Sequence, residues 1–323
     1  MRSRACSTEG PAVSRDALDR RAVLRGVASG LAVAAFGGAV RFARAADTLS
    51  ATSVAPGLTL LGGAGANILV LATDAGKVVV DGGAAASSKA VQQKLDELPG
   101  GRVAALFDTH WHLDQVGANE ALGGAGATIY AHAKTRQRLT AGYYLPTEDR
   151  YQPPLAAAGR PTKAFHTEAT AVVGKTKIDY GYLLEAHTDG DIYVFFPELN
   201  VVAVGDVVSP QSDPEFDWFG GGWLGGRLDS LNRLLALGDK DTRFVPSVGP
   251  VVGRAQVQAE LDMHSKLFDR MVEHVRLGET AADMLKAGVL DGLGRSFADP
   301  AKLLYDVHKG FWAHHNTLTH DIV

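Results

Sequence analysis

The sequence predicts an α+β fold: a four-layer αββα sandwich, in which two β-sheets pack face to face under outer helices, with a helical C-terminal tail. Apolar strands alternate with glycine turns between Leu58 and Asp81, which is typical of a β-meander. A second β-rich segment, again followed by a helical pattern, begins near Lys175 and indicates an internal duplication. We find no glycine fingerprint of the dinucleotide-binding type after the early strands, and this argues against a doubly wound parallel sheet.

The individual elements follow from local patterns. Helical spacing covers residues 85–97, and the apolar run Val103–Phe107 is typical of a buried strand. The second half has four predicted strands, at Lys175–Leu184, Asp191–Phe196, Val201–Gly205 and Arg243–Val245. One helix is predicted between the last two strands, at Leu228–Leu237. Because the chain has a helical pattern from Arg254 onward, we expect a main domain over residues 46–260 and a helical extension over residues 261–323.

The N-terminus has the three parts of an export signal in the right order. Arg20-Arg21 precedes the uncharged stretch Gly26–Val40, and Ala43-Arg44-Ala45 supplies small residues for a signal peptidase. The stretch is shorter than the roughly 20 residues of a membrane span. We therefore predict a twin-arginine-type signal over residues 1–45, exported by the twin-arginine machinery and cleaved near Ala45. The protein would then be periplasmic or secreted, with no membrane anchor. An uncleaved anchor and a disordered basic tail are the alternatives.

Composition and charge narrow the class of partner. The 323 residues are 46% hydrophobic and 21% charged, as in soluble globular proteins. Removing residues 1–45 takes away eight of 32 basic and three of 36 acidic residues, which leaves a net charge of −9. This charge disfavours nucleic acid or an anionic membrane as the main partner and favours a small-molecule substrate. Since Cys6 is the only cysteine and would leave with the signal, any metal must be held by His, Asp or Glu.

The segment Thr109–Gln115 follows directly on the predicted strand Val103–Phe107. Its residues His110, His112 and Asp114 recur at a spacing of two, which at the end of a strand points their side chains toward one cavity. Two imidazoles and a carboxylate at a strand end would cost stability unless they served a purpose. The pattern therefore predicts a metal site.

This segment resembles the His-x-His-x-Asp-His motif of the metallo-β-lactamase superfamily, and the resemblance extends over about residues 55–260. Asn67 and Asp81-Gly82 match the family's early strand motif, and His187 matches its third histidine. Asp206 matches the bridging aspartate of the glyoxalase II-like and lactonase-like branches. The resemblance implies the metallo-β-lactamase fold and a complete first metal site at His110, His112 and His187.

Two positions of the family pattern are lost. Gln115 stands where the family has the histidine after the aspartate, and Val248 replaces the final histidine of a Gly-His-Gly-Pro-like turn. The second site then keeps Asp114 and Asp206, with Gln115 as a weak carbonyl donor. We expect one tightly bound Zn²⁺, and any second ion to be held weakly.

The function that these residues favour is a zinc hydrolase of an ester, thioester, lactone or amide, in which zinc-bound hydroxide attacks a carbonyl. Asp114 is the candidate catalytic residue because it can orient the attacking water or take its proton. Three alternatives stay open: a non-haem iron dioxygenase of the persulfide type, held by His110, His187 and Asp206; a β-lactamase; and a non-catalytic member with a degenerate site.

Two long loops, 139–165 and 209–226, are expected to shape the substrate pocket, although aromatic loops can also be surface decoration. The candidate substrate-lining residues are Gln115, Tyr143, Tyr144, Trp218, Phe219 and Trp223. A further cluster of histidines, His314, His315 and His320, belongs either to a solvated tail or to a tail that folds back to replace a lost ligand. Sequence leaves this choice, the substrate and the oligomeric state open.

Overall fold

A computed structural model of the chain describes residues 49–145 and 149–319, with side chains through residue 314. All of these residues belong to one compact unit, Ala45–Val323. The predicted export signal at residues 1–45 lies outside the described residues. Within the described part, no helix is both long and apolar enough to cross a membrane.

The first sheet has seven strands in the order β1-β2-β3-β4-β5-β6-β9. Their bounds are β1 Ser50–Ala55, β2 Leu58–Gly62, β3 Ile68–Thr73, β4 Gly76–Val80, β5 Val103–Phe107, β6 Thr128–His132 and β9 Lys163–Phe165. The pairs from β1 to β4 are antiparallel, whereas β4, β5, β6 and β9 run parallel. Parallel neighbours place their carboxyl ends at one edge of the sheet, which is where the motif after β5 emerges.

The second sheet has six strands in the order β10-β11-β12-β13-β14-β15. They are β10 Glu168–Val173, β11 Thr176–Tyr182, β12 Ile192–Phe196, β13 Val201–Gly205, β14 Arg243–Pro246 and β15 Val252–Gly253. A separate hairpin joins β7 Tyr143–Leu145 to β8 Arg150–Gln152. The helices are α1 Ser88–Glu97, α2 Asn119–Gly124, α3 Ala133–Ala141, α4 Leu224–Leu235, α5 Arg254–Arg276, α6 Ala281–Lys286 and α7 Pro300–Thr319.

Alternate residues of the central strands enter different cores, and this confirms the predicted four layers. In β3, Leu69 and Leu71 pack between the sheets, while Ile68 and Val70 face the opposite way, toward α1 and α2. The second sheet behaves alike, since its inner face joins the same inter-sheet core and its outer face packs against α4 and α5. A strand buried on both faces appears in sequence as a continuous apolar run rather than an alternating one.

The C-terminal helices have a core of their own. Side chains from α5, α6 and α7 pack around Phe216 and Leu224, at either end of the glycine-rich segment before α4. The expected boundary between residues 260 and 261 falls inside α5, so the helical extension continues without a break from the sandwich. This packing brings α7 against the segment that carries part of the functional site.

Candidate metal centre

The predicted metal ligands lie together at the carboxyl ends of β5 and β11. His110 and His112 follow β5, and His187 lies on the loop between β11 and β12. Their nearest nitrogens all lie within 4.8 Å of one another. The three rings are mutually tilted by 75° to 87° with centroids 4.8 Å apart. Three imidazoles converge here in the arrangement that a tetrahedral metal ion requires of its nitrogen ligands.

The nitrogens on the far side of the rings are engaged by the surrounding chain. Thr109 Oγ1 lies 3.2 Å from His110 Nδ1, and Asp217 Oδ2 lies 2.9 Å from His112 Nε2. His187 Nδ1 donates to the backbone carbonyl of Glu215 at 3.0 Å. Metal-binding histidines characteristically give their second nitrogen to such partners, which fix the tautomer and the ring orientation.

A separate observation supports a metal at the inner nitrogens, which are the ring nitrogens that face one another. His110 Nε2 is buried and has no hydrogen-bond partner among the described residues. Burying a polar atom without a partner costs stability, so this nitrogen fits a position that binds a ligand. His112 Nδ1 and His187 Nε2 lie 3.0 Å apart beside it. The donor set at the centre is therefore His110 Nε2, His112 Nδ1 and His187 Nε2, three nitrogens with room for one ion between them.

Burial keeps two of these imidazoles neutral, which is the form that binds metal. Desolvation, together with the charge of His112, holds the pKa of His110 and of His187 well below the usual value. At His112 burial acts in the same direction, but the hydrogen bond and charge of Asp217 outweigh it and raise the pKa. Asp217 thereby makes His112 the more basic ligand.

Asp206 lies beside two of the three histidines, and the charge of Asp114 acts on His112 and Asp206. Asp206 Oδ2 is 3.4 Å from His110 Nε2 and 3.9 Å from His187 Nε2. Burial raises the pKa of Asp206 to about 7, and the charge of Asp114 adds to the effect. Asp114 is exposed, and its carboxylate makes no hydrogen bond or ion pair with the residues that the structure describes. Neither aspartate groups with the three histidines as tightly as these group with one another.

The two altered family positions differ in burial. Gln115 is fully buried, and Ser247 Oγ approaches its Oε1 at 3.4 Å, while its Nε2 has no partner in the described part of the chain. Val248 is 46% exposed. Gln115 does not border the cavity described below, because its amide is enclosed against the turn that contains Ser247. Its substrate-lining role stays a prediction.

The early-strand residues predicted from the resemblance brace this site. Asp81 accepts hydrogen bonds from the amide and hydroxyl of Thr109 at 2.8 and 3.0 Å. Its φ of 64° lies in the left-handed region, which Asp tolerates better than most residues. Asn67 donates to the carbonyls of Pro246 and Gly249, both at 2.9 Å. One residue thus orients the start of the His-x-His segment and the other holds the turn before β15.

A cavity of about 450 Å³ opens beside His112 and His187. Of the predicted lining residues, Trp218 and Phe219 border it, and Tyr144 reaches it only through an edge contact with Phe219 at 6.1 Å. Tyr143 is instead buried, with its ring 4.5 Å from that of Trp111. Tyr143 and Trp223 do not border this cavity, and Trp223 instead lines a neighbouring cavity of about 230 Å³ with Trp218 and Phe219. Their substrate-lining role stays a prediction.

The C-terminal histidines do not join the metal centre where they are described. His314 stacks on Trp223 with ring centroids 3.7 Å apart, and its Nδ1 lies 3.5 Å from Glu185 Oε2. The side chain of His315 and the whole of His320 lie outside the described residues. The hypothesis that this tail replaces a lost ligand thus fails for His314, whose ring is engaged elsewhere.

Sequence reasoning missed Asp217, Arg227 and the contribution of α7. Arg227 is fully buried, and its Nη2 donates to the backbone carbonyls of Asp206 and Glu215 at 2.8 and 2.7 Å. It therefore ties Asp206 to the segment that holds His187. An arginine inside the amphipathic pattern of α4 was the available signal, because arginine is almost never fully buried without partners.

Fold and site together define a metal-binding protein built on an αββα sandwich. Residues 61–248 match the sequence profile of the Metallo-beta-lactamase superfamily, which is more than half of the chain, and the chain belongs to this superfamily. The match contains every residue of the metal centre described above. It ends before α5, so the C-terminal helices lie outside it.

Similar proteins bear the same family name or share the fold. Metallo-beta-lactamase IND-1 of Chryseobacterium indologenes is 26% identical over 175 residues, which are 54% of this chain and 66% of that protein. A metallo-beta-lactamase from Pontibacter korlensis has a TM-score of 0.52 at 20% identity, with 67% of this chain and 99% of that chain covered. The sec-alkylsulfatase Pisa1 from Pseudomonas sp. has a TM-score of 0.59 at 16% identity, with 83% of this chain and 51% of that chain covered. The chain thus spans about half of the sulfatase and about two thirds of IND-1. The predicted likeness to the glyoxalase II-like and lactonase-like branches stays a prediction.

Proposed function

We propose that the protein is a hydrolase that uses one zinc ion to cleave an ester, thioester, lactone or amide. The observation that carries this proposal is the convergence of His110 Nε2, His112 Nδ1 and His187 Nε2, with every outer nitrogen engaged by the chain. Three neutral nitrogen ligands leave a fourth position for water or substrate. Zinc in such a site supplies polarisation of a carbonyl and lowers the pKa of water to ~7.

The chain's own residues would do the rest of the work. The cavity beside His112 and His187 would hold the substrate, with Trp218 and Phe219 excluding water from its apolar part. Asp114 has a carboxylate unoccupied by any described partner, and so it can accept a proton from the attacking water and deliver it to the leaving group. Asp206 adds negative charge next to His110 and His187.

The test combines metal analysis with a substrate screen. Purified protein should contain zinc and should hydrolyse at least one compound among lactones, thioesters, esters and amides. A β-lactam and an alkyl sulfate belong in the screen because the similar proteins are named for them. Substitution His110→Ala should abolish both metal retention and turnover, whereas His166→Ala, at an exposed histidine, should preserve both. Turnover that survives both chelation and His110→Ala would contradict the proposal.

An iron oxygenase is the second candidate, and one observation favours it. Asp206 lies near His110 and His187, as a 2-His-1-carboxylate set for Fe(II) requires. The position of His112 argues for zinc. Its Nδ1 lies 3.0 Å from His187 Nε2, so these two nitrogens can bind the same ion, and His112 would be left unused in the iron site. Iron content with oxygen uptake would favour the oxygenase. Bound metal without any turnover would favour a non-catalytic protein.

We also propose that the protein is exported through the twin-arginine pathway, on the basis of Arg20-Arg21 and Ala43-Arg44-Ala45. Intact-mass measurement of protein from the periplasmic fraction of an expressing bacterium should give a chain that starts at Ala46. Replacing both arginines by lysine should leave the full-length precursor in the cytoplasm. A full-length cytoplasmic product from the unaltered sequence would refute export.

A further inference from the structure

The cavity beside the metal centre has one wall that the family match does not include. It is lined by His112, His187 and Asp217 and by the neighbouring Phe216, Trp218 and Phe219. Helix α7 contributes Lys302, Tyr305 and Asp306 to the same lining. Residues 61–248 carry the family match, so α7 lies outside the matched residues. The residues that distinguish substrates here therefore come partly from the C-terminal helix.

The charged groups that line this cavity are mostly acidic. The carboxylates of Glu215, Asp217 and Asp306 stand against a single ammonium group, that of Lys302. Lys302 Nζ is 2.6 Å from Asp306 Oδ2, so this cation is already neutralised within α7. Asp217 is likewise engaged by His112 at 2.9 Å.

Glu215 is the lining carboxylate that has no direct ion-pair partner, although the charges of Lys302 and Arg227 lie close enough to interact with it. Its side chain makes no hydrogen bond or ion pair with any residue that the structure describes. The negative charge of Glu215 affects the neighbouring Asp306. Burial raises the pKa of Asp306, and the charges of Glu215 and Asp217 raise it further, whereas Lys302 acts in the opposite direction. Apart from a metal ion held by the three histidines, an anionic group in the cavity would find among the lining residues only the ammonium group of Lys302, which already pairs with Asp306.

Three aromatic rings supply apolar surface beside these carboxylates. Trp218 packs edge to face with Phe219 at 5.8 Å and with Tyr305 at 6.4 Å. Phe219 and Tyr305 are about half exposed. Lys309 Nζ already lies 5.3 Å from the centroid of the Tyr305 ring, so this aromatic group accommodates a cation within the protein itself. Aromatic rings next to carboxylates favour apolar groups and cations over anions.

We propose that this pocket selects apolar substrates that carry no negative charge, and that Glu215 makes a cationic group preferable to its anionic counterpart. This proposal rests on the proposed hydrolysis and specifies its substrate class. The apolar body would lie against Trp218, Phe219 and Tyr305, and a distal ammonium group would lie near Glu215. Lys302 would serve to hold Asp306 and not to receive the substrate.

The test uses three p-nitrophenyl esters that differ only in their distal group: trimethylammonium, its neutral tert-butyl isostere, and sulfonate. We expect kcat/KM to fall in that order, with at least ~10-fold between the cation and the anion at low ionic strength and less as salt screens the charge. Glu215→Gln should reduce this ratio several-fold, whereas Glu198→Gln, at an exposed glutamate on the short turn after β12, should leave it unchanged. A preference for the sulfonate that is lost in Lys302→Gln would overturn the proposal. So would a ratio that Glu215→Gln does not alter.

A binding measurement separates failure of this inference from failure of the proposed function. Benzyltrimethylammonium should quench tryptophan fluorescence of the metal-free protein, and benzylsulfonate should do so far less. Trp218→Phe should remove most of that quenching, whereas Trp312→Phe, on the outer part of α7, should preserve it. Equal quenching by the two probes would refute the charge selectivity, whatever the outcome of the hydrolysis screen. Selective quenching without turnover of any ester would retain the pocket and reject the hydrolase.

Discussion

At the scale of single residues, the carboxylate of Asp217 has a role that can be separated from metal binding itself. Its Oδ1 accepts the Gly220 amide at 2.8 Å, and its Oδ2 meets His112 Nε2 at 2.9 Å. The first contact holds the carboxylate in place, and the second orients the imidazole ring. Asp217 is therefore a positioning residue for His112.

Asp217→Asn should weaken metal binding by about 10- to 100-fold, the usual effect of losing a carboxylate partner of a ligating histidine. The amide keeps the shape of the side chain, so the thermal midpoint of the metal-free protein should change little. Chelator competition measures the affinity, and thermal unfolding in excess EDTA supplies the structural check. An unaltered metal affinity would show that His112 is oriented by other contacts.

Asp114 offers a contrasting prediction, because it is exposed and lies outside the close group of three histidines. Asp114→Ala should reduce kcat by 10²- to 10⁴-fold, the range typical of a lost proton acceptor, while affinity for the first metal changes much less. Metal titration and steady-state kinetics on the same preparation measure the two effects. Parallel losses of metal and turnover would instead make Asp114 a ligand.

The metal ligands could be predicted from sequence, whereas the residues that support them could not. His110 and His112 are neighbours on one strand end, so their spacing alone predicts a shared cavity. The contact between His112 and Asp217 joins residues 105 positions apart through a glycine-rich segment. The conformation of such a segment depends on what it packs against, and here that is α7.

At the scale of secondary-structure elements, apolar runs were predicted well and short strands were not. The strand Val201–Gly205 has the predicted bounds, because it is buried on both faces and ends at a glycine with positive φ. Residues 139–165 were expected to be a loop, yet they contain β7, β8 and β9. Each of these strands has three residues, too few for a period-two pattern, and β9 forms only because the edge of β6 offers it hydrogen bonds.

Helix α5 contains a buried titratable group away from the metal centre. His264 is fully buried; its Nδ1 donates to the Glu260 carbonyl at 2.8 Å, and its Nε2 has no partner among the described residues. Burial, with a contribution from the charge of Arg227, holds the pKa of His264 well below 6.5. In the unfolded chain the same imidazole would take up a proton near pH 6.5.

This difference makes the protein less stable as pH falls. Below pH ~6.5 the unfolded state binds a proton that the folded state rejects, so the free energy of unfolding should decline by up to about 1.4 kcal/mol per pH unit from this group alone. His264→Gln cannot take up that proton. Urea titrations in EDTA measure the free energy of unfolding of both proteins. Between pH 8 and pH 5 this free energy should fall more for the wild type than for His264→Gln. The same shift in His166→Gln, at an exposed histidine, would contradict the assignment to His264.

At the scale of the whole molecule, the metal centre and part of the cavity lining lie within the residues that match the superfamily, and α7 adds further lining residues from outside them. The sandwich between β1 and β15 brings the three histidines to one end of the two sheets, and the sequence match to the superfamily covers that part. Helix α7 then lines part of the cavity, and it packs with α5 and α6 around their own apolar core. Related chains without an equivalent of α7 would keep the metal centre and lose that part of the lining.

The number of metal ions per chain tests whether this end of the sandwich holds one complete metal site or two. Three imidazoles converge on one position, while Asp114 and Asp206 stand beside it, and Gln115 is buried against the turn that carries Ser247 and Val248. We expect one tightly held Zn²⁺ per chain after dialysis against a mild chelator. Gln115→His alone should add little, because one imidazole and two carboxylates leave a second ion weakly held.

Adding a second imidazole from the turn should produce a second tight site, since each ligand contributes several of the roughly 10–16 kcal/mol seen for structural zinc sites. The sequence match places that imidazole at position 248, but Val248 is 46% exposed and it is Ser247 that approaches Gln115. Both double variants, Gln115→His with Val248→His and Gln115→His with Ser247→His, should therefore be compared by native mass spectrometry. Whichever variant retains two zinc ions identifies the residue of the turn that faces the site. Two tightly held ions in the wild type would mean that a ligand outside His110, His112, His187, Asp114 and Asp206 completes the second site.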